Sequence, residues 1–390
     1  MKIAILTSGI LPVPAVQGGA VENLVDFYLD YNNRHRLHNI TVYSIWHPDV
    51  KKHPVLKSDV NNYKYIKVNG WWAKLKKKIY QQTHGAEYYH YNIEYYLHEA
   101  IKDISQKYYD IILMENRPAY ALKLKDITDA KLVYHLHNEK LDTKVPHYQE
   151  IYDAAWRILT VSNYIKSRVH TINSKDTKTI TIYNGIDLKA FSQGTPINKD
   201  SIGLSNDDFL LVFSGRVNRE KGIMELIEAM NQLTNYPKIK LLVIGSSFYA
   251  NADNENDFAR LLKQKAEPLK ERIIFTGYIP YSELPDYLWI SDIAIVPSLW
   301  EEPFGNTVVE AMAAGLPLIT TRSGGIPEIC EGVATIVERE NIVDNLAAAI
   351  QDLYDHPEKR KQMAAAGIER SKLFDKDTYA KNFFGALESI

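Results

Sequence analysis

The chain has 390 residues, more than one hydrophobic core usually organises, so its length predicts two domains. Hydrophobic residues make up 45% and charged residues 24%, as in soluble globular proteins, and a net charge of −2 gives no broad basic field for nucleic acid. The single cysteine, Cys330, excludes an internal disulfide framework and favours a reducing, cytoplasmic location.

The first half of the chain alternates between predicted strands and helices. The apolar run Lys2–Thr7 predicts a buried strand, and it is too short and too poorly flanked for a signal peptide. A loop with Gly18 and Gly19 follows, and apolar residues at helical spacing then predict a helix over Ala20–Tyr31. No apolar run is long enough to span a bilayer. Further strands are predicted at 40–46, 63–68, 110–114, 131–136, 157–161 and 179–183.

The segment Trp71–Tyr80 combines bulky apolar residues with four lysines. This is the composition of a helix that lies on anionic lipid. The other interpretation is an ordinary amphipathic surface helix whose lysines are solvated. The next segment, Glu87–Tyr96, is dense in aromatic residues, and we favour packing for them over stacking against sugars or lipid.

Two histidines end the strand predicted at 131–136. We expect His135 and His137 to point to opposite faces of that strand, and therefore not to form a metal pair. One of them is expected in the core and the other at the carboxyl end of the strand, where ligands of parallel sheets bind. A histidine at a strand end is otherwise a structural or surface residue.

A second series of strands and helices fills the rest of the chain. The first domain is assigned to 1–187 and the second to 188–370, so the sequence predicts two doubly wound parallel sheets, with ligands in the cleft between the domains. The strands of the second series are predicted at 209–213, 239–244, 272–276, 293–296, 316–320 and 334–337, and its helices at 222–233, 256–267 and 341–354.

Two cations follow the first strand of the second series. Arg216 comes just after that strand, and Lys221 comes just before the following helix. Because both lie on one loop, both could bind one anion, arginine bidentately and lysine as a mobile charge. Solvated loop cations are the alternative. No G-x-G-x-x-G or P-loop motif follows either first strand, which counts against dinucleotide dehydrogenases and P-loop kinases.

The stretch Ser298–Pro317 follows the short buried strand predicted from the apolar run 293–297, and it predicts a polar loop and then a helix start. The helix is expected from Asn306 or Thr307 to Ala314, and Gly315 ends it. Its first turn offers backbone N–H groups and a partial positive charge to a phosphate.

Two carboxylates lie in this stretch. Glu302 is in the loop and Glu310 is on the helix, so both could bind hydroxyl groups beside that phosphate. From the residues alone, the alternative is that Thr307–Glu310 forms a capping box and that Glu302 is a solvated loop charge.

Three motifs together resemble one family. Glu302-Pro-Phe-Gly…Glu310, followed by Ala311–Pro317, resembles the signature of the retaining glycosyltransferases of family 4, nucleotide-sugar-dependent enzymes with the two-domain GT-B fold. Gly215-Arg216…Lys221-Gly222 and the Gly18-Gly19 loop are similar to motifs of the same family.

The resemblance implies a role for each matching residue. Arg216 and Lys221 would neutralise the donor diphosphate, Glu302 would hold the sugar hydroxyls and Glu310 the ribose hydroxyls. The terminal helix, within 371–390, would cross back onto the first domain, and Asn184–Asp187 would be structural. Further donor-site positions implied by the resemblance are the phosphate-binding helix start at Phe304, Gly305, Asn306 and Thr307, the loop glycines Gly18 and Gly19, the sugar contact His137, and the base-reading Gly277 and Tyr278.

The resemblance also implies an activity. It is the retaining, metal-independent transfer of a hexose from a nucleoside-diphosphate sugar, with UDP favoured over GDP, to a glycan or lipid-linked acceptor in bacterial surface polysaccharide synthesis. No cofactor is expected, because no Asp-x-Asp follows a predicted strand and no His/Cys cluster shows ligand spacing. No residue is assigned as a nucleophile.

Three other functions stay open at this point. A retaining glycoside hydrolase could use Glu302 and Glu310 as acid and nucleophile, but Arg216 and Lys221 would then have no purpose. The chain could also be a nucleotide-sugar-binding subunit without turnover. A sugar-nucleotide epimerase is the third, and the motifs fit it less well.

Overall fold

The computed structural model describes residues 1–83, 89–245 and 257–389. The chain divides into two compact units, one of Met1–Gly185 with Lys376–Ile390 and the other of Ile186–Asp375. The return to the first unit comes later than position 371, since the helix Pro357–Ser371 packs within the second unit.

The first unit contains a sheet of seven parallel strands in the order β3-β2-β1-β4-β5-β6-β7. The winding direction therefore reverses between β1 and β4. The strands are Lys2–Leu6 (β1), Asn39–Ile45 (β2), Asn61–Ile66 (β3), Ile111–Glu115 (β4), Lys131–Leu136 (β5), Arg157–Thr160 (β6) and Thr179–Thr181 (β7).

Helices cover this sheet, and the last helix of the chain is one of them. It packs on the helix Ala20–His35, where the rings of Tyr28 and Phe383 stack with centroids 4.2 Å apart and Arg34 forms an ion pair with Asp377. The helices are Ala20–His35 (α1), Trp71–Thr83 (α2), Tyr91–Ile104 (α3), Ala121–Leu124 (α4), Tyr148–Ala154 (α5), Asn163–His170 (α6) and, at the C-terminus, Lys376–Glu388 (α15).

The second unit contains a sheet of six parallel strands in the order β10-β9-β8-β11-β12-β13. Its strands are Phe209–Ser214 (β8), Ile239–Ile244 (β9), Ile273–Gly277 (β10), Ile293–Val296 (β11), Leu318–Thr321 (β12) and Thr335–Val337 (β13). Its helices are Leu188–Ser192 (α7), Ile223–Gln232 (α8), Asp257–Ala266 (α9), Leu284–Leu288 (α10), Asn306–Ala313 (α11), Ile326–Cys330 (α12), Ile342–Asp355 (α13) and Pro357–Ser371 (α14). The prediction of two doubly wound parallel sheets is confirmed.

Differences from the predicted elements are small and have local causes. Strand β4 runs to Glu115, one residue further than predicted, because Glu115 is still in register with His135 of β5. In the aromatic segment, Tyr95 and Tyr96 are buried on α3, so they pack, while residues 87 and 88 lie outside the described residues. In the described part of the chain, no helix combines the length and the apolar character that crossing a membrane requires.

Candidate active site

Several of the candidate residues lie on loops at the point in each sheet where the strand order reverses. In the second unit the loops after the neighbouring strands β8 and β11 carry Arg216, Lys221 and Glu302. In the first unit the loop after β1 carries Gly18 and Gly19, and the neighbouring strand β4 ends at Glu115. Doubly wound sheets bind ligands at this position, beyond the carboxyl ends of the strands.

A glycine allows the two loops of the second unit to touch. Gly222 has φ +69°, and a Cβ there would lie 1.8 Å from the carbonyl oxygen of Pro297. The carbonyl of Glu220 accepts a hydrogen bond from the backbone N–H of Leu299 at 2.8 Å, which joins the loops again. The loop that carries Lys221 is therefore held against the loop that carries Glu302 by backbone contacts, and a residue larger than glycine at position 222 would prevent this close approach.

Lys221 and Glu302 meet across this contact. The Lys221 Nζ forms an ion pair with Glu302 Oε1, and the Ser298 hydroxyl donates to the same oxygen at 2.7 Å. Glu302 is buried, so it is not the solvated loop charge of the alternative interpretation. The Arg216 side chain is exposed, and it has no ion-pair or hydrogen-bond partner among the described residues.

The loop after β12 supports the backbone of Glu302. Gly324 has φ +51°, and a Cβ there would lie 2.2 Å from the carbonyl oxygen of Glu302. That carbonyl accepts from the N–H of Gly325 at 2.8 Å, and neighbouring Glu301 forms an ion pair with Arg339 at 2.6 Å. Glu302 is consequently fixed through its main chain as well as its side chain.

Helix α11 begins beside this loop. Gly305, with φ +113°, occupies the N-cap position and has no side chain to cap the first turn. Phe304 is buried against Phe374, with ring centroids 5.7 Å apart, and this contact anchors the helix start. The helix begins at Asn306, one of the two predicted starts, so Thr307 lies inside the first turn.

The buried carboxylate on α11 makes a different contact from the one a capping box requires. Glu310 accepts a hydrogen bond from the hydroxyl of Tyr281 at 2.7 Å, and Thr307 is not the helix cap. The capping-box alternative therefore does not describe this helix. Burial raises the pKa of Glu310 to about 7, and the bond from Tyr281 opposes that rise. Glu310, Thr307 and Ser214 at the end of β8 line one small internal cavity.

Gly277 and Tyr278 lie at the end of the outermost strand of the second sheet. Gly277 is the last residue of β10, with φ +71°, and its carbonyl accepts from the N–H of Gly245 at 2.9 Å. The side chain of Tyr278 is more than half exposed. The two residues are on the same edge of the sheet as the loops after β8 and β11, because all these strands are parallel.

The glycine loop of the first unit leads to a carboxylate that the sequence analysis did not single out. Gly18 and Gly19 have φ +72° and +109°, and α1 begins directly after them. A Cβ on Gly19 would lie 2.2 Å from a carboxylate oxygen of Glu22, which is buried and accepts from the Ser8 hydroxyl at 3.3 Å. Burial raises the pKa of Glu22.

The prediction that His135 and His137 face opposite ways is wrong. Side chains alternate along a strand, so residues two apart share a face, and both imidazoles contact Glu115. Nε2 of His137 lies 2.8 Å from Glu115 Oε2, and Nδ1 of His135 lies 3.1 Å from the same oxygen. The Tyr28 hydroxyl donates to Glu115 Oε1 at 2.8 Å. Both histidines are buried. Burial, together with the electrostatic effect of the nearby His135, lowers the pKa of His137 to about 4.

This cluster also contains the two histidines that were not expected to form a metal pair. Glu115, His135 and His137 bring three potential ligand atoms together. Among the described residues the outer nitrogens of both imidazoles have no hydrogen-bond partner, whereas histidines that bind metals usually donate their second N–H. The contacts fit a carboxylate that accepts from two imidazoles and a tyrosine. The Asp-x-Asp of the chain, Asp375-Lys376-Asp377, does not follow a strand, and Asp377 pairs with Arg34.

Comparison with known proteins identifies the second unit. Residues 195–370 match the family model described as Glycosyl transferases group 1. Spore coat protein SA of Bacillus subtilis (strain 168) is 28% identical over 93% of this chain and 92% of its own length. The lipopolysaccharide 1,2-N-acetylglucosaminetransferase of Salmonella typhimurium is 26% identical over 60% of this chain and 62% of its own.

The fold comparison covers the entire chain. The crystal structure of Anabaena Alr3699/HepE in complex with UDP and glucose matches with a TM-score of 0.75 and 21% identity, over 100% of both chains. The match therefore extends over both compact units of this chain. Residues 195–370 are thus a glycosyl transferases group 1 domain, and the chain is a glycosyltransferase of the GT-B fold.

Proposed function

We propose that this protein is a retaining, metal-independent transferase that moves a hexose from a UDP-sugar to a glycan or lipid-linked acceptor in the synthesis of a bacterial surface polysaccharide. The observation that carries the proposal is the ion pair between Lys221 and Glu302, which sets a cation and a carboxylate side by side at the carboxyl edge of the second sheet. Arg216, on the same loop as Lys221, adds a second cation.

The cations would act on the leaving group. A nucleoside diphosphate gains negative charge as the glycosidic bond breaks, and fixed positive groups stabilise that charge without reorganising. Arg216 can bind two phosphate oxygens at once, and Lys221 can bind one. The first turn of α11, whose N-cap residue is Gly305, would add backbone N–H groups and the partial positive charge of the helix.

The carboxylates would hold hydroxyl groups. Glu302 would hold the hydroxyls of the sugar near the reacting carbon, and Glu310 those of the ribose. His137 would contact the transferred sugar. Retention would proceed by front-side substitution, in which the departing phosphate helps to deprotonate the acceptor, so no side chain is assigned as a nucleophile.

The choice of donor and pathway draws on what the similar proteins bind and make. Alr3699/HepE was crystallised with UDP and glucose, which favours a UDP-sugar over a GDP-sugar. The similar Salmonella enzyme takes its name from lipopolysaccharide, which favours a surface polysaccharide as the product. The hydrolase alternative has less support, because it gives neither Lys221 nor its contact with Glu302 a role.

A donor screen with the whole protein tests this proposal. UDP-glucose and UDP-N-acetylglucosamine should raise the unfolding temperature more than GDP-, ADP- or dTDP-sugars do, and slow hydrolysis of the preferred donor should continue in EDTA. Cleavage of a glycan without any nucleotide sugar would favour the hydrolase. Donor binding without hydrolysis or transfer would favour the non-catalytic subunit. Loss of turnover in EDTA with recovery in Mn²⁺ would contradict the metal-free mechanism.

The pH dependence of donor use should depend on Glu310. Because the pKa of this carboxyl is about 7, its protonation below that pH should raise the donor KM, and kcat/KM should rise as the pH increases through 7. Tyr281→Phe removes a hydrogen bond that favours the charged carboxylate, so it should move this rise to higher pH.

The matched control is Tyr236→Phe, which removes a tyrosine–carboxylate contact with Asp355 elsewhere in the second unit. This control should keep the wild-type profile. If the profiles of Tyr281→Phe and wild type coincide, Glu310 does not control the ionisation that limits donor binding.

A further inference from the structure

Helix α2 is attached to the first unit by one face. Ala73 and Tyr80, on this face, are buried, and the Tyr80 ring packs against Tyr95 of α3 with centroids 5.9 Å apart. The Tyr80 ring also contacts His98 at 5.1 Å. Ala73 and Tyr80 are the buried residues of this helix, Lys77 is half-buried, and its other residues are exposed to solvent.

The opposite face of α2 exposes four large apolar side chains. At about 100° per residue, they fall within an arc of about 100° that faces away from Ala73 and Tyr80. Trp71 and Trp72 contact each other with ring centroids 4.4 Å apart. Their exposed fractions are 69% for Trp71, 68% for Trp72, 41% for Leu75 and 52% for Ile79.

Lysines border this apolar arc on both sides. By the same helical spacing, Lys74 and Lys78 lie along one border and Lys76 along the other, while half-buried Lys77 lies nearer the attached face. None of the four forms an ion pair with any residue in the described ranges. The sequence has no acidic residue from Val60 to Ala86. The exposed surface of α2 is therefore apolar along its centre and positive along its edges.

We propose that this face of α2 docks on the surface of a membrane that contains anionic lipids. The two tryptophans, Leu75 and Ile79 would enter the boundary between headgroups and acyl chains, where tryptophan is favoured. The lysines would extend their charges to the lipid phosphates while their stems cover the apolar edge. The proposal does not depend on the sugar or the nucleotide.

The charge pattern favours lipid over a second copy of the chain. Two α2 faces packed together would bring lysine edges near lysine edges, and like charges in contact oppose association. A bilayer with anionic headgroups offers both an apolar interior and a negative surface at the depth that an in-plane helix reaches.

Sedimentation of the full-length protein with vesicles tests the proposal. We expect binding to vesicles of phosphatidylcholine with phosphatidylglycerol to exceed binding to pure phosphatidylcholine by about tenfold or more, and to fall as salt increases. The lysine variant K74Q/K76Q/K77Q/K78Q and the tryptophan variant W71S/W72S should each reduce binding by about tenfold or more. Tryptophan emission should shift to shorter wavelength with the anionic vesicles, and the shift should be absent in W71S/W72S.

A control variant that loses the same number of positive charges elsewhere distinguishes an effect of α2 from an effect of net charge. K52Q/K175Q/K270Q/K361Q changes exposed lysines elsewhere and should bind vesicles like wild type. All variants should keep the wild-type unfolding temperature and donor hydrolysis, because α2 is outside the donor site. Equal sedimentation of wild type and both α2 variants would overturn the proposal, as would wild-type protein that dimerises through α2 and ignores vesicles. Neither result would bear on the transferase assignment, which the donor screen tests.

Discussion

Lys221→Ala is expected to lower kcat/KM for the sugar donor by about 10²–10³, the usual effect of removing one fixed group that stabilises charge in the transition state. The substitution removes the cation and also leaves Glu302 buried without its ion-pair partner. Most of the loss should appear in kcat, since the charge on the diphosphate grows as the glycosidic bond breaks.

Arg216→Ala should reduce kcat/KM by a similar factor, because Arg216 would stabilise the same negative charge on the departing diphosphate. The two losses should not add, because both cations act on one leaving group. Initial rates with saturating and limiting UDP-glucose would measure both parameters for the single and double variants.

Arg219→Ala is the matched control for these variants. Arg219 is an exposed cation on the same loop, directed over the ring of Phe258 at 5.9 Å, and its removal should leave kcat/KM within about twofold of wild type. Equal losses in Arg216→Ala and Arg219→Ala would mean that the loop contributes only general positive charge. Wild-type activity in Lys221→Ala would remove the basis of the proposed mechanism.

The local elements of this fold could be predicted because their signals are local. Strands β5, β9 and β11 lie at the residues that their apolar runs predict, and α11 starts at a predicted residue. Glycines mark where the chain needs positive φ or close approach, as at Gly222 against Pro297. The order of the strands, by contrast, depends on pairing between distant segments and was not stated from the sequence.

The partners within the site were harder to predict because they come from distant parts of the chain. Tyr281 reaches Glu310 from a different loop, and no motif links the two. Glu115 was visible only as a polar residue directly after the apolar strand at 110–114. Its contact with His135 and His137 follows from the pairing of β4 with β5, together with the two-residue period of a strand.

The second large effect is expected on the stability of the first unit, when the buried carboxylate of Glu115 is removed. Glu115→Ala should lower the free energy of unfolding by about 3–5 kcal/mol, because it removes one member of a buried charged network and leaves the others without an acceptor. The Tyr28 hydroxyl and the imidazoles of His135 and His137 would each lose their hydrogen bond to this carboxylate. Tyr28→Phe removes a single donor and should cost less, about 1.5–3 kcal/mol. Urea unfolding of the full chain at neutral pH measures the free energy of unfolding of wild type, Glu115→Ala and Tyr28→Phe.

The pH dependence of this stability identifies the charged species. Burial raises the pKa of Glu115, but the interactions with His135 and His137 outweigh it and hold this pKa below its usual value. The contribution of Glu115 to stability is therefore present above the unfolded pKa and is lost as the pH falls towards the folded pKa. Burial also lowers the pKa of His137 from 6.5 to about 4, so folding favours the neutral ring. The contribution of His137 to stability should therefore be lost as the pH falls from 6.5 to about 4.

The stability difference between wild type and Glu115→Ala should therefore be largest near neutral pH and should shrink in acid. A difference below about 1 kcal/mol at neutral pH would contradict the network, since surface substitutions have effects of that size. Stoichiometric zinc on the purified protein, with an unfolding temperature that falls in EDTA, would instead make Glu115, His135 and His137 a metal site.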